Sequence, residues 1–252
     1  MKIFICGKGG SGKTVISILL ARILTESGNK VYIVDSDESN ELLYKLLGTN
    51  PPKPLAEYFG GKKNIFKVGE MNILKLLKTS EAGININSLP HEYISYSKEG
   101  IGLIVIGKIR TLGEGCACPL NFLTRIFLGN VILKSNEHII VDTDAGVEHV
   151  GRGLEGTADL IIFIADPTAE SIQLAKVLKR VADEHKIKFR IILNKADNEI
   201  YKTFKDLAGQ NELSIDGYLG FDREIFMSSL KGEPLKSKSA YKELKNIITK
   251  IL

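Results

Sequence analysis

The chain has 252 residues, of which 44% are hydrophobic and 25% charged, with a formal net charge of +4. This apolar content excludes a disordered chain and suffices for one ordinary α/β domain or two very small ones, and no apolar stretch approaches the roughly 20 residues of a membrane-spanning helix. Three cysteines make no disulfide framework, and lysines such as Lys62, Lys63, Lys75, Lys78, Lys186 and Lys188 are scattered without arginine-rich or aromatic-interleaved clusters, so no nucleic-acid partner is expected.

Met1 leads straight into an apolar run, so no signal peptide and a cytoplasmic location are expected. Strands are expected at Lys2–Cys6, Val31–Asp35, Leu103–Ile106, Ile139–Asp142, Leu160–Ala165 and Arg190–Asn194, several apolar on both faces and therefore buried on both sides. Helices are expected at Thr14–Glu26, Ala169–His185 and Ser239–Leu252. The alternation predicts an α/β fold, a mostly parallel β-sheet flanked by helices. The stretch Thr49–Gly102 opens on Pro51-Pro52-Lys53-Pro54 and reads as a surface excursion with a short strand at Ile73–Leu77 and little regular core. The last helix carries Tyr241, Leu244, Ile247, Ile248 and Ile251 on one face. Docking on the sheet explains that stripe, and lying in a bilayer interface is the alternative.

Between the first strand and first helix stands Gly7-Lys8-Gly9-Gly10-Ser11-Gly12-Lys13-Thr14, a phosphate-loop pattern in its required context. Such glycines let backbone N–H groups curl around a β-phosphate, with Lys13 reaching the β- and γ-phosphates and the Thr14 hydroxyl ligating Mg²⁺. A chance glycine-rich turn is the competing reading. Two strands then end in acids, Asp35-Ser36-Asp37 and Asp142-Thr143-Asp144, at the carboxyl ends that face a ligand crevice in parallel sheets. Strand-end turns would use the same residues.

Cys116-Ala117-Cys118-Pro119 places two thiols one residue apart, able to share a soft metal ion. Four-thiolate sites want two more ligands. Cys6, within an apolar strand beside the phosphate loop, reads as buried and inert, so a two-fold dimer supplying Cys116 and Cys118 twice is the simplest source. Two incidental small residues before a helix starting at Pro119, or a dithiol cycling to a local disulfide, are the alternatives. His91, His138 and His185 show no ligand spacing, and packing is the expected role of His149.

The string Lys-Gly-Gly-x-Gly-Lys-Thr resembles the deviant phosphate loop of the MinD, ParA, ArsA and nitrogenase iron protein superfamily. The resemblance implies that Lys8 crosses a dimer interface to the partner's nucleotide, as an arginine finger would. It further implies that Asp37 orients the attacking water and meets Mg²⁺ through water, and that Asp142 anchors Mg²⁺ through its water shell. Gly146 would bring a switch loop to the γ-phosphate, and Asn194-Lys195 would read the adenine. Gly7, Lys8, Gly9, Gly10, Ser11, Gly12, Lys13, Thr14, Val15, Gly146, Asn194 and Lys195 make up the implied ATP/ADP site.

Cys116–Pro119 together with Gly146-Val147-Glu148-His149-Val150-Gly151-Arg152-Gly153 looks like the CooC family of nickel-inserting ATPases, which serve carbon monoxide dehydrogenase maturation. The resemblance runs over essentially the whole chain, through Asp166-Pro167 to Ser229-Leu230-Lys231-Gly232-Glu233, and implies one ATPase domain over residues 1–252. It implies a homodimer that binds Ni²⁺, or Zn²⁺, at Cys116 and Cys118, with a nickel enzyme as partner. Val15 in place of a second threonine, the added Asp144, and Gly220 where a proline is expected depart from the pattern. A positioning ATPase on membrane or DNA, and an electron-transfer ATPase holding an iron-sulfur cluster, are the rival readings. For the latter, the chain lacks the cysteine after the second acidic strand that the nitrogenase iron protein uses.

Overall fold

A computed structural model describes residues 1–77, 83–109, 117–144 and 157–252. Its centre is an eight-stranded sheet, numbered in chain order: β1 (Lys2–Cys6), β2 (Lys30–Asp35), β3 (Ser95–Tyr96), β4 (Gly102–Val105), β5 (Glu137–Asp142), β6 (Leu160–Ala165), β7 (Lys188–Leu193) and β8 (Gly217–Tyr218). Across the sheet the order is β3-β4-β2-β5-β1-β6-β7-β8. Every pair is parallel except β3 with β4. The expected mostly parallel sheet is therefore the architecture found, and the six expected strands all occur, Lys2–Cys6 and Leu160–Ala165 with the expected bounds and the other four with ends shifted by a residue or two.

Alternate strand residues feed two cores, which is why these strands read as unbroken apolar runs. Ile3, Ile5, Val31, Ile33, Ile140 and Ile162 face α1 (Lys13–Glu26), α2 (Leu43–Leu47) and the last helix, α8 (Ser239–Ile251). Phe4, Tyr32, Val34, Val141, Ile161 and Phe163 face the other side, covered by α3 (Ile65–Leu77), α4 (Cys118–Asn130), α5 (Ala169–Glu184) and α6 (Asn198–Gly209). The short α7 (Arg223–Lys231) precedes α8. Side-chain caps fix several starts: Thr168, Asp197 and Asp222 accept backbone N–H groups in the first turns of α5, α6 and α7.

The Thr49–Gly102 expectation is overturned. Ile73–Leu77 is helical, the end of α3, whose two pieces meet at Gly69 (φ 72°). Ile73 and Leu77 lie one turn apart and are buried, whereas Met71 and Leu76 are exposed, so the run has helical rather than strand spacing. Nor does the stretch lack a core. Leu55, Phe59, Ile65, Ile84, Ile86 and Tyr93 all pack into the α3/α4 side of the sheet. The apolar face of α8 is docked as expected, with Leu244, Ile247 and Ile248 buried on the α1 side. Among the described residues no helix is long and apolar enough to cross a membrane.

Candidate functional site

Gly7, Gly10 and Gly12 have φ of 150°, 78° and 103°, and they bend the chain between β1 and α1. A Cβ on Gly7 would lie 2.4 Å from the Ile164 carbonyl oxygen, and one on Gly12 would lie 2.3 Å from Asn194 Nδ2. Only glycine fits at both positions. The loop leads into α1, which has no side-chain cap, so the amide groups of its first turn are left for an anion. The Lys13 ammonium lies back over the loop and donates to the Lys8 carbonyl at 3.2 Å.

Adjacent strands β2 and β5 bring Asp35 and Asp142 into register at their carboxyl ends. Asp142 is fully buried, and Thr14 Oγ1 donates to its Oδ2 at 2.7 Å while Ser17 Oγ donates to its Oδ1 at 3.1 Å. Asn40 Nδ2 donates to Thr14 Oγ1 at 3.0 Å, so the hydroxyl joins β5 to the loop after β2. Burial pushes the Asp142 carboxyl up to about 6, opposed by the Thr14 and Ser17 hydrogen bonds and by Lys13. Burial likewise raises Asp35 to about 7, against the opposing Lys108 ammonium. Asp37 is half-buried. Its Oδ1 accepts from the Ser39 N–H at 2.9 Å, the Ser39 hydroxyl at 2.6 Å and the Asn40 N–H at 3.2 Å, and these bonds shape the loop.

At the end of β7, Asn194 Nδ2 donates to the Ser11 carbonyl and Lys195 Nζ to the Gly10 carbonyl, each at 2.7 Å. Beyond them opens a cavity of about 280 Å³ lined by Asn194, Lys195, Leu219, Gly220, Phe221 and Phe226 among others. Phe221 and Phe226 are 64% and 51% exposed and pack against each other with ring centroids 5.8 Å apart and planes tilted by 46°, giving the cavity an exposed aromatic wall. Gly220 uses its N–H, which donates to Glu243 Oε2 at 3.2 Å, a bond a proline could not make. Val15 lines the same cavity with an apolar surface.

The structure thus gathers Gly7, Lys8, Gly9, Gly10, Ser11, Gly12, Lys13, Thr14, Asp37, Asp142, Asn194 and Lys195 around one loop. Lys8 sits at its edge and pairs with Glu170 of the same chain, at the start of α5. Asn40, Lys108, Phe221 and Phe226 escaped the sequence reading. Only Phe221, beside the suspected Gly220, had a nearby signal. Cys118 is the exposed first residue of α4, and Cys6 is fully buried, its thiol pushed up to about 12 by burial. Cys116, Gly146 and His149 lie outside the described residues. Among the described residues no group of three or more His, Cys, Asp or Glu gathers to hold a metal.

Chemically, the set offers an amide-lined cradle for phosphate, a hydroxyl and carboxylate corner suited to a hard cation such as Mg²⁺, and an apolar cavity for a base. Residues 2–235 match the family described as the CobQ/CobB/MinD/ParA nucleotide binding domain. The chain belongs to this family. An uncharacterised ATP-binding protein of Methanocaldococcus jannaschii is 44% identical, with 99% of this chain aligned to 100% of that protein. The carbon monoxide dehydrogenase accessory protein CooC of Rhodospirillum rubrum is 28% identical over 75% of this chain and 71% of its own length. In fold, the septum site-determining protein MinD of Pyrococcus horikoshii, solved with Mg-ADP, is similar with a TM-score of 0.69 at 16% identity, covering 99% of this chain and 95% of that one. As a MinD/ParA-type family member the protein is an ATP-binding ATPase.

Proposed function

We propose that this ATPase is a metallochaperone, one domain over residues 1–252 that works as a homodimer and delivers nickel, or zinc, to carbon monoxide dehydrogenase or a related nickel enzyme. The observation that carries the reading is the place of Cys118. It stands exposed at the start of α4, which follows the carboxyl end of β4, on the same edge of the parallel sheet as the phosphate loop after β1. Likeness to a CooC protein over 75% of the chain supports it.

In this reading the amides of Gly9–Lys13 and the Lys13 ammonium take the β- and γ-phosphates. Thr14 and Asp142 would hold Mg²⁺, Asp142 through water, and the bound ion would supply positive charge to the phosphates. Asp37 orients the attacking water, and Lys8 leaves Glu170 to reach the partner's nucleotide. Asn194 and Lys195 border the base, with the Phe221–Phe226 pair as an aromatic wall beside it. Cys116 and Cys118 of two subunits complete a four-sulfur site for the transported ion.

A membrane-bound positioning ATPase loses its sequence argument, because Leu244, Ile247 and Ile248 are buried. The test is anaerobic purification followed by an ATP hydrolysis assay, metal analysis and a visible spectrum. Turnover with stoichiometric nickel or zinc supports the proposal. Turnover with no retained or titratable metal refutes it, and absorption of an iron-sulfur cluster favours the electron-transfer reading.

A further inference from the structure

Lys108 is a nearly buried lysine, 7% exposed, that the proposed chemistry does not use. Its ammonium donates to Asp35 Oδ2 at 2.7 Å and to the Asp37 carbonyl oxygen at 2.5 Å. Two backbone bonds run beside it, from Ile106 N–H to the Asp35 carbonyl at 3.0 Å and from Ile109 N–H to the Glu38 carbonyl at 3.1 Å. The segment after β4 is thereby laced to the Asp37 loop over its whole described length. On its other side, Gly107 lies against Leu120 of α4, so close that a Cβ there would sit 2.4 Å from Leu120 Cδ2. Leu120 is buried, two residues beyond Cys118 and within the first turn of the helix that Cys118 begins.

We propose that Lys108 is a positioning residue that couples the Asp37 loop to the start of α4, so that nucleotide at the phosphate loop is sensed at Cys118. The proposal deepens the metallochaperone reading and rests on it for the purpose of the coupling. The contact route is continuous: Asp37 carbonyl, Lys108 ammonium, Gly107 backbone, Leu120 side chain, first turn of α4. Two properties suit it to carrying a displacement. The amine is held at both oxygens and is only 7% exposed, at the wall of a cavity of about 280 Å³ that Asp35 and Asn40 also line, and charge-assisted hydrogen bonds of this kind are strong. The Gly107 backbone packs directly on the Leu120 side chain, with no room for even a Cβ between them, so a shift of the segment presses on the helix. A lysine serving only to neutralise Asp35 would need neither the Asp37 carbonyl nor the neighbouring lacing.

The test uses the full chain and reads two things, ATP hydrolysis and the rate at which iodoacetamide alkylates Cys118, followed by mass spectrometry. In the native protein a non-hydrolysable ATP analogue should change that alkylation rate by about fivefold or more. In Lys108→Met the analogue should bind within about twofold of normal and leave the rate unmoved, while kcat falls by about ten- to a hundredfold, as expected for a mispositioned water-orienting group. Lys108→Arg should restore part of both.

Because Lys108→Met strands the buried Asp35 carboxylate, the double variant Asp35→Asn with Lys108→Met guards against simple misfolding. Asparagine keeps the Oδ1 acceptor that takes the Asp37 N–H at 3.2 Å, and the double variant should show the same uncoupling. A nucleotide response and kcat of native size in either variant, or a native Cys118 that ignores nucleotide, overturns the proposal. Nucleotide coupling that depends on Lys108 in a protein taking up neither nickel nor zinc upholds the coupling and refutes the metal reading alone.

Discussion

The Lys8 ammonium is paired with the Glu170 carboxylate across the mouth of the phosphate loop, within one chain. Both side chains are exposed, at 36% and 70%, and such a pair is weak enough to exchange for a better partner. If Lys8 acts on the partner's nucleotide, it must first leave Glu170. Lys8→Ala and Asp37→Ala chains should each be inactive alone. Mixed heterodimers should regain activity, since one composite site then holds both groups. Verified heterodimers that stay silent would place Lys8 outside trans catalysis. Glu170→Gln should lower the ATP concentration needed for dimerisation, and an unchanged threshold in sedimentation counts against the latch.

Lys13 is a cleaner target than Asp142. Its ammonium donates to the Lys8 carbonyl, and although it also favours the charged form of Asp142, that carboxylate keeps its Thr14 and Ser17 hydrogen bonds in Lys13→Ala. Hydrolysis should fall by about a thousandfold or more, in line with the loss of a principal phosphate-charge stabiliser, while the thermal midpoint moves little. A variant that keeps turnover, or one that unfolds, contradicts this.

The strands were legible because burial on both faces writes itself as a continuous apolar run, as in Leu160–Ala165. The phosphate loop was legible because its glycines are forced by backbone geometry at Gly7 and Gly12. Other parts left no local trace. β3 and β8 are two residues each, too short for periodicity. Residues 65–77 mix buried Ile73 with exposed Met71 and Leu76, which blurs the helical stripe. Lys108 and Asp35 are 73 positions apart, and Asn40 meets Thr14 across 26; such partnerships are tertiary and no local spacing announces them.

Docking of α8 makes a stability prediction. Leu244 is fully buried on the α1 side of the sheet, so Leu244→Ala should lower stability by about 2–5 kcal/mol, seen as a reduced denaturant midpoint. Lys245→Ala should change stability little, because its pair with Glu26 is about half exposed on both sides. Liposome sedimentation with ATP should leave the protein in the supernatant. Pelleting with vesicles, together with a tolerated Leu244→Ala, would revive the membrane reading.

The thiols give the last prediction. Cys6 is fully buried in β1 and its thiol is held near 12, so it is a poor ligand at neutral pH, and Cys6→Ala should leave metal binding unchanged. That leaves Cys116 and Cys118, two sulfurs per chain, and a four-sulfur ion must then bind once per dimer. Cys118→Ser should abolish tight nickel and zinc binding and metal-promoted dimerisation while the monomer still binds ATP. Linkage requires that any factor by which ATP changes metal affinity equals the factor by which metal changes ATP affinity, typically about 5- to 150-fold. Calorimetric titrations in both orders should return the same factor. One ion per monomer in a dilute sample, or undiminished affinity in Cys118→Ser, rules out the shared site.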